Sequence, residues 1–197
     1  MKIAVIGATG HVGSAVAHEA TARGHQVTAL NRSSVDAANP ASVTQAVAGH
    51  DAVVVGIQGG DRVVARSAQA LLEALPLAGV TRLVFLGGGG SLEYAPSHRF
   101  VESPDFPPQY LQTALDQAEA LAILRAAQTP VEWSYVSPPP VHLVPGEKTG
   151  QYRAEVRDTP LADEHGQSRI SVGDYAAVVV DTIENGSFIR ARFTVGY

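Results

Sequence analysis

Lys2-Ile3-Ala4-Val5-Ile6 runs directly into Gly7-Ala8-Thr9-Gly10-His11-Val12-Gly13, and helical spacing begins with no spacer. An apolar β-branched run, a glycine-spaced turn and a helix, in that order, predict the βα unit that holds a dinucleotide pyrophosphate. Gly7 takes the sharp strand-to-helix turn, Gly10 leaves the backbone open to phosphate, and Gly13 lets the helix lie close on the strand. The N–H groups of the first helical turn, about His11 to Gly13, then point at the anion with the helix dipole behind them. All seven residues from Gly7 to Gly13 are therefore cofactor candidates. An ordinary βα turn explains Gly7 but not three glycines spaced Gly-x-x-Gly-x-x-Gly.

Working outward, residues 12–23 read as a helix closed by Gly24, and 26–30 as a second strand. The residues after that strand read the cofactor ribose. An acidic residue there accepts from a 2′-hydroxyl and repels a 2′-phosphate. This chain has Asn31, Arg32 and Ser33. Arg32 offers a fork of donors suited to phosphate, so NADP(H) is expected over NAD(H). Asp36, in the following loop, is placed to meet an adenine amino group. A short helix follows over 39–48, and the strand 50–55 ends at Val55 and Gly56, where a cofactor would lie. From Asp61, the spacing of Val64, Ala68, Leu71 and Leu75 marks a helix whose end Pro76 limits.

The strand 82–86 is followed by Gly87-Gly88-Gly89-Gly90-Ser91. Four glycines at a strand's carboxyl edge suggest close backbone approach to a ligand, with Gly87 and Gly88 nearest. Residues 93–108 read as an irregular loop. A long helix over 110–127 turns Leu111, Leu115, Ala118 and Ala122 inward. The strand 131–136 stops at Ser137 and Pro138, further cofactor-edge candidates. The segment 141–166 reads as an extended hairpin or lid near the active site, with His142 and Tyr152 as acceptor-pocket residues. A helix begins at Ser171-Val-Gly-Asp174, and 192–196 is a closing strand. Strands alternating with helices predict one Rossmann-like α/β domain over 1–197, a doubly wound, mostly parallel sheet with helices on both faces.

A chain of 197 residues is long enough to bury a continuous core, and zero cysteines exclude disulfides and thiolate metal sites. The histidines show no metal-ligand spacing, so no metal is expected. Absence of cysteine, of a charged-then-apolar leader and of a membrane-length apolar run fits a cytoplasmic protein. A net charge of −5 with scattered basic residues argues against a nucleic-acid partner. A small-molecule acceptor and a monomer or small homo-oligomer are expected.

The chain resembles the atypical short-chain dehydrogenase/reductases grouped as NADH-flavin reductases, within the wider NmrA-like, NAD(P)H-binding set. The resemblance rests on Gly7 to Gly13, Gly87-Gly-Gly-Gly-Ser-Leu-Glu93, Ser103-Pro-Asp-Phe-Pro107 and Trp133-Ser-Tyr-Val-Ser-Pro138. Pro145-Gly-Glu-Lys-Thr-Gly150, Gly166-Gln-Ser-Arg-Ile-Ser171 with Asp174-Tyr175, and Arg192-Phe-Thr-Val-Gly-Tyr197 extend it nearly end to end. It implies an NAD(P)H-dependent oxidoreductase with a flavin or quinone-like acceptor.

Carbonyl reductases of the wider superfamily use a Tyr-x-x-x-Lys pair. Here the residue four after Tyr110 is Ala114, and the only lysines are Lys2 and Lys148. Hydride transfer to a flavin asks less, because the ring delocalises the charge and water can supply the proton. Ser91, as a hydrogen-bond donor to acceptor or carboxamide, and Tyr110, as a donor or stacking wall, are the catalytic candidates. A non-catalytic NADP(H)-binding redox sensor of the NmrA-like type is the alternative.

Overall fold

The computed structural model describes residues 1–140 and 143–197. Six parallel strands carry the chain's most apolar runs: β1 (Lys2–Ile6), β2 (Gln26–Leu30), β3 (Ala52–Val55), β4 (Arg82–Leu86), β7 (Glu132–Ser137) and β11 (Ala191–Gly196). Among the described residues two further pairs of short strands form, β5 (Glu93–Ala95) with β6 (His98–Arg99) and β8 (Leu143–Val144) with β10 (Ile170–Ser171), and the short β9 (Arg153–Glu155) pairs with β11. The main sheet has the order β2-β1-β3-β4-β7-β11-β9, with β9 antiparallel at its edge. The helices are α1 (His11–Ala22), α2 (Pro40–Val47), α3 (Val63–Leu77), α4 (Pro108–Ala126) and α5 (Val172–Glu184). This is the Rossmann-like, doubly wound α/β architecture.

Strand residues alternate between two cores, as the pleat requires. Ile3, Val5, Val54, Val84, Val136 and Phe193 pack with Val16 of α1 and Val179 of α5. Ala4, Ile6, Val53, Val55, Phe85 and Tyr135 pack on the opposite face with α2, α3 and α4. Because β1 has β2 on one side and β3 on the other, the strand order reverses there. The carboxyl ends of β1 and β3 meet at this reversal, the place at which such folds bind ligands.

Three stretches differ from the sequence expectation. Residues 93–108 are not wholly irregular: β5 and β6 form a small antiparallel pair, followed by a 3-10 turn at Phe100–Glu102. Part of 141–166 leaves any lid, since β9 extends the main sheet through Thr194↔Glu155 and Gly196↔Arg153. The inward face of α4 is also corrected. Leu111 and Leu115 are exposed at 41% each, whereas Ala114, Asp116, Gln117, Ala120, Leu121 and Leu124 are buried. The true face is offset by one residue, about 100° around the helix.

Asp116 explains part of that offset. The start of α3 has no cap of its own: Arg62, at its N-cap, lies in the left-handed region and makes no side-chain cap bond. The buried Asp116 carboxylate accepts from the N–H groups of Val64 (3.0 Å) and Ala65 (2.9 Å), capping α3 from α4. Asp116→Ala is expected to lower stability by about 1–2 kcal/mol. A chemical-denaturation change of less than about 0.5 kcal/mol would contradict this role.

Candidate functional site

The glycine turn is built as its spacing predicts. Gly7 has φ +88, and a Cβ there would fall 2.1 Å from Gly56 O. A Cβ on Gly13 would fall 2.2 Å from Gly7 O, so α1 sits directly on the turn. Gly10 differs: its Cβ direction meets only Gly7 O, at 3.3 Å, and both Thr9 and His11 beside it are exposed. The first α1 amide with a backbone acceptor is Ser14, which donates to Gly10 O at 2.9 Å. The amides of His11, Val12 and Gly13 come before it, at the open end of the helix. Ala8 is buried and Val12 half-buried against the α1/α5 core.

The other cofactor candidates share this sheet edge. The N–H of Gly56 donates to Ile6 O (2.9 Å), joining β3's exit to β1's, while the Val55 side chain is fully buried. After β2, Asn31 Oδ1 accepts from the N–H (2.9 Å) and hydroxyl (2.6 Å) of Ser33. The Arg32 guanidinium is exposed and donates to Gln58 O (2.8 Å) in the β3–α3 loop. Asp36 caps its own turn, accepting from the Ala38 N–H (3.0 Å), and is otherwise exposed.

The four glycines after β4 serve a purpose the sequence did not reveal. A Cβ on Gly87 would enter the Tyr135 ring at 2.0 Å, one on Gly89 would meet Pro138 O at 2.7 Å, and one on Gly90 would meet Ala114 Cβ at 2.8 Å. These three glycines admit neighbouring protein atoms. Gly88 has more room, with Gln117 Cβ at 3.3 Å, and its N–H is taken by the Tyr135 hydroxyl at 3.2 Å.

Tyr110 lies on the same strip of α4 as Ala114, one turn nearer solvent, and is 55% exposed. Ala114, four residues on, is buried and packed against Gly90. Ser91 is 8% exposed, and its Oγ has no hydrogen-bond partner. Buried hydroxyls are normally paired, and this one is not. Ser137 is fully buried, with its Oγ 3.5 Å from Arg192 Nη1, and Pro138 follows it into the loop that meets Gly89.

Of the two acceptor-pocket candidates, Tyr152 is not brought to this edge. His142 lies outside the described residues. Tyr152 donates its hydroxyl to Asp181 on α5, and Asp181 also binds Arg23 (2.6 Å) at the end of α1 farthest from the glycine turn. Burial and the neighbouring Asp181 carboxylate push the Tyr152 phenol far up, so it stays protonated. Arg23 also pairs with Glu19 and Glu184, making this corner a clamp between α1 and α5.

Tyr135 and Gln117 were missed by sequence reasoning. Their signal was a tyrosine in a central strand, whose buried hydroxyl must find a partner. Among the described residues, no group of three or more His, Asp or Glu side chains is arranged to hold a metal ion, and no helix is long and apolar enough to cross a membrane.

Asp174 shapes the loop before α5. Burial works against its charge, but hydrogen bonds from Thr149, Gly150 and Tyr197 outweigh it and hold the carboxyl below the usual range. A depressed folded pKa contributes stability that is complete above the unfolded value, about 4, and is lost as pH falls through the folded one. Denaturation curves from pH 7 to 3 are therefore expected to show a smaller stability loss for Asp174→Asn than for wild type. Equal losses would contradict this.

The family model for NAD(P)H-binding proteins matches residues 7–186. The chain belongs to the NAD(P)H-binding family. It is 34% identical to the uncharacterised protein YwnB of Bacillus subtilis over 210 aligned positions, covering 99% of this chain and 98% of that protein. A proposed exported protein from Burkholderia pseudomallei is 37% identical, with a TM-score of 0.88 and full coverage of both chains. A proposed NADH-flavin reductase from Streptococcus pneumoniae is 31% identical, with a TM-score of 0.86 over 100% of this chain and 99% of that one. The edge described above fits the nucleotide such a family binds. The open face at Gly10 and the α1 amides suit a pyrophosphate, and the exposed Arg32 suits an anionic group on the ribose.

Proposed function

We propose that the protein is an NAD(P)H-dependent oxidoreductase that prefers NADPH and passes hydride to a flavin or similar conjugated, quinone-like acceptor. The bound nicotinamide supplies the hydride; the chain's residues hold the two reactants. The α1 amides and Gly10 receive the pyrophosphate, and Arg32 receives the 2′-phosphate. Asn31 and Ser33 shape the ribose end, and Asp36 stands on the adenine side. Ser91 donates a hydrogen bond to the acceptor or to the carboxamide.

The observation that carries the choice of acceptor is Ala114 packed against Gly90 where a proton-relay lysine would stand. A conjugated ring tolerates that arrangement, because it spreads the arriving charge and takes its proton from water. A chain without cysteine suits the reducing cytoplasm in which NADPH is kept. The name of the Streptococcus pneumoniae relative supports the same reading.

The test follows NADPH absorbance with FMN, FAD and a quinone. Turnover is expected with at least one of them, and Ser91→Ala is expected to lower kcat by about tenfold, near one charge-free hydrogen bond. Tight NADPH binding with no turnover on any acceptor would overturn the enzyme in favour of a cofactor sensor.

A further inference from the structure

The loops that leave β3 and β4 stand side by side at the cofactor edge, and one buried polar node joins them. Tyr135 is wholly buried in β7 with its ring stacked on Phe85, centroids 5.8 Å apart. Its hydroxyl accepts from the Gly88 N–H (3.2 Å) and donates to Gln117, with the main-chain oxygen at 2.9 Å and Oε1 at 3.1 Å. Gln117, 6% exposed, sends its Nε2 on to Ile57 O at 3.5 Å. Gln58, the next residue, is the one whose carbonyl holds Arg32. The Gly87 backbone lies against the Tyr135 ring with no room for a Cβ. The sheet already joins these strands lower down, so a stacked ring would hold the core without any hydroxyl. Placing a phenol here adds a directional bond to the Gly87–Ser91 loop and, through Gln117, a link to the β3–α3 loop, neither of which packing alone needs.

We infer that Tyr135 and Gln117 are positioning residues: a latch that fixes the Gly87–Ser91 loop relative to the Ile57–Gln58 loop and so sets Ser91 against the cofactor-side loop. This rests on the reductase reading for its kinetic consequence, but not for its structural one. Hydride transfer needs the two rings held within a narrow range of separation, and a small displacement of one supporting loop costs rate more than binding. The latch touches neither reactant, so its loss is felt through Ser91. Arg32 reaches the same β3–α3 loop, which places the phosphate-reading arginine and the acceptor loop on one connected set of hydrogen bonds.

Tyr135→Phe keeps the ring and removes only the hydroxyl; Gln117→Leu removes the other half of the latch. Amide hydrogen exchange on the cofactor-free protein reads the structural claim. In Tyr135→Phe, exchange at Gly88, whose amide the hydroxyl holds, is expected to rise at least tenfold, with the amides of β1 and β3 unchanged. A rise across β1 and β3 as well would mean general loosening and would overturn the latch, as would no rise at Gly88. Steady-state assays then read the consequence. In both variants kcat is expected to fall at least tenfold while NADPH Kd stays within threefold, and the double variant is expected to lose little more than either single one. Unchanged kcat, or losses that multiply, would also overturn it. If the wild-type chain turns over no acceptor, the reductase reading fails, and the exchange result still decides the latch.

Discussion

Gly13→Ala is expected to weaken NADPH binding by about 100-fold, equivalent to about 2.7 kcal/mol. Helix propensity alone argues the other way, since alanine is favoured over glycine in a helix by about 1 kcal/mol. Packing decides the sign. The added Cβ would fall 2.2 Å from the oxygen and 2.9 Å from the carbon of the Gly7 carbonyl, and both are backbone atoms of the turn. Neither can rotate away, so the start of α1 must lift off the turn at a cost of about 3 kcal/mol. That movement displaces the amides that receive the pyrophosphate. Gly60→Ala is the control, because a Cβ there meets nothing within 4 Å. Equal affinities for NADPH in Gly13→Ala and wild type, measured by fluorescence titration, would contradict the close approach.

Arg32→Ala is expected to weaken NADPH by about 10- to 100-fold, the worth of a charge-assisted hydrogen bond of about 1.5–3 kcal/mol. NADH, which lacks the 2′-phosphate, is expected to change by less than about threefold, because the group Arg32 serves is missing. Among the described residues the Arg32 guanidinium donates to the Gln58 carbonyl and is otherwise exposed, so little structure is lost with it. Equal losses for the two nucleotides would remove Arg32 from phosphate recognition.

The parts of the fold that were legible share one property. β2 and β4 match their sequence boundaries, residues 26–30 and 82–86, because each is an apolar run closed by polar or glycine punctuation. The helix α1 ends before Gly24, whose φ of +82 is the cap that the glycine promised. Ser171 caps α5 by accepting from the Asp174 N–H, as its motif predicts.

Where the reading failed, the determining contact is distant in sequence. The stripe of Leu111, Leu115, Ala118 and Ala122 has helical spacing, but the buried side of α4 must fit against Gly90 and hold the start of α3. Small Ala114 and polar Asp116 meet those demands, and hydrophobicity cannot signal either. Likewise, nothing local in 153–155 announces its pairing with β11, some forty residues on. The run Gly87 to Gly90 reads as close approach to a ligand; that Tyr135, Pro138 and Ala114 are the atoms against Gly87, Gly89 and Gly90 is tertiary information. Tyr152 reads as an acceptor-pocket residue through a lid over 141–166, and its hydroxyl is instead held by Asp181 in the α1–α5 clamp.

Everything proposed for the chemistry depends on a nicotinamide nucleotide seating its diphosphate on the amides that open α1. Isothermal titration of the purified chain with NADPH, and separately with NADH, measures this most directly. Saturable one-to-one binding is predicted, tighter for NADPH. No heat and no saturation with either nucleotide would contradict the account.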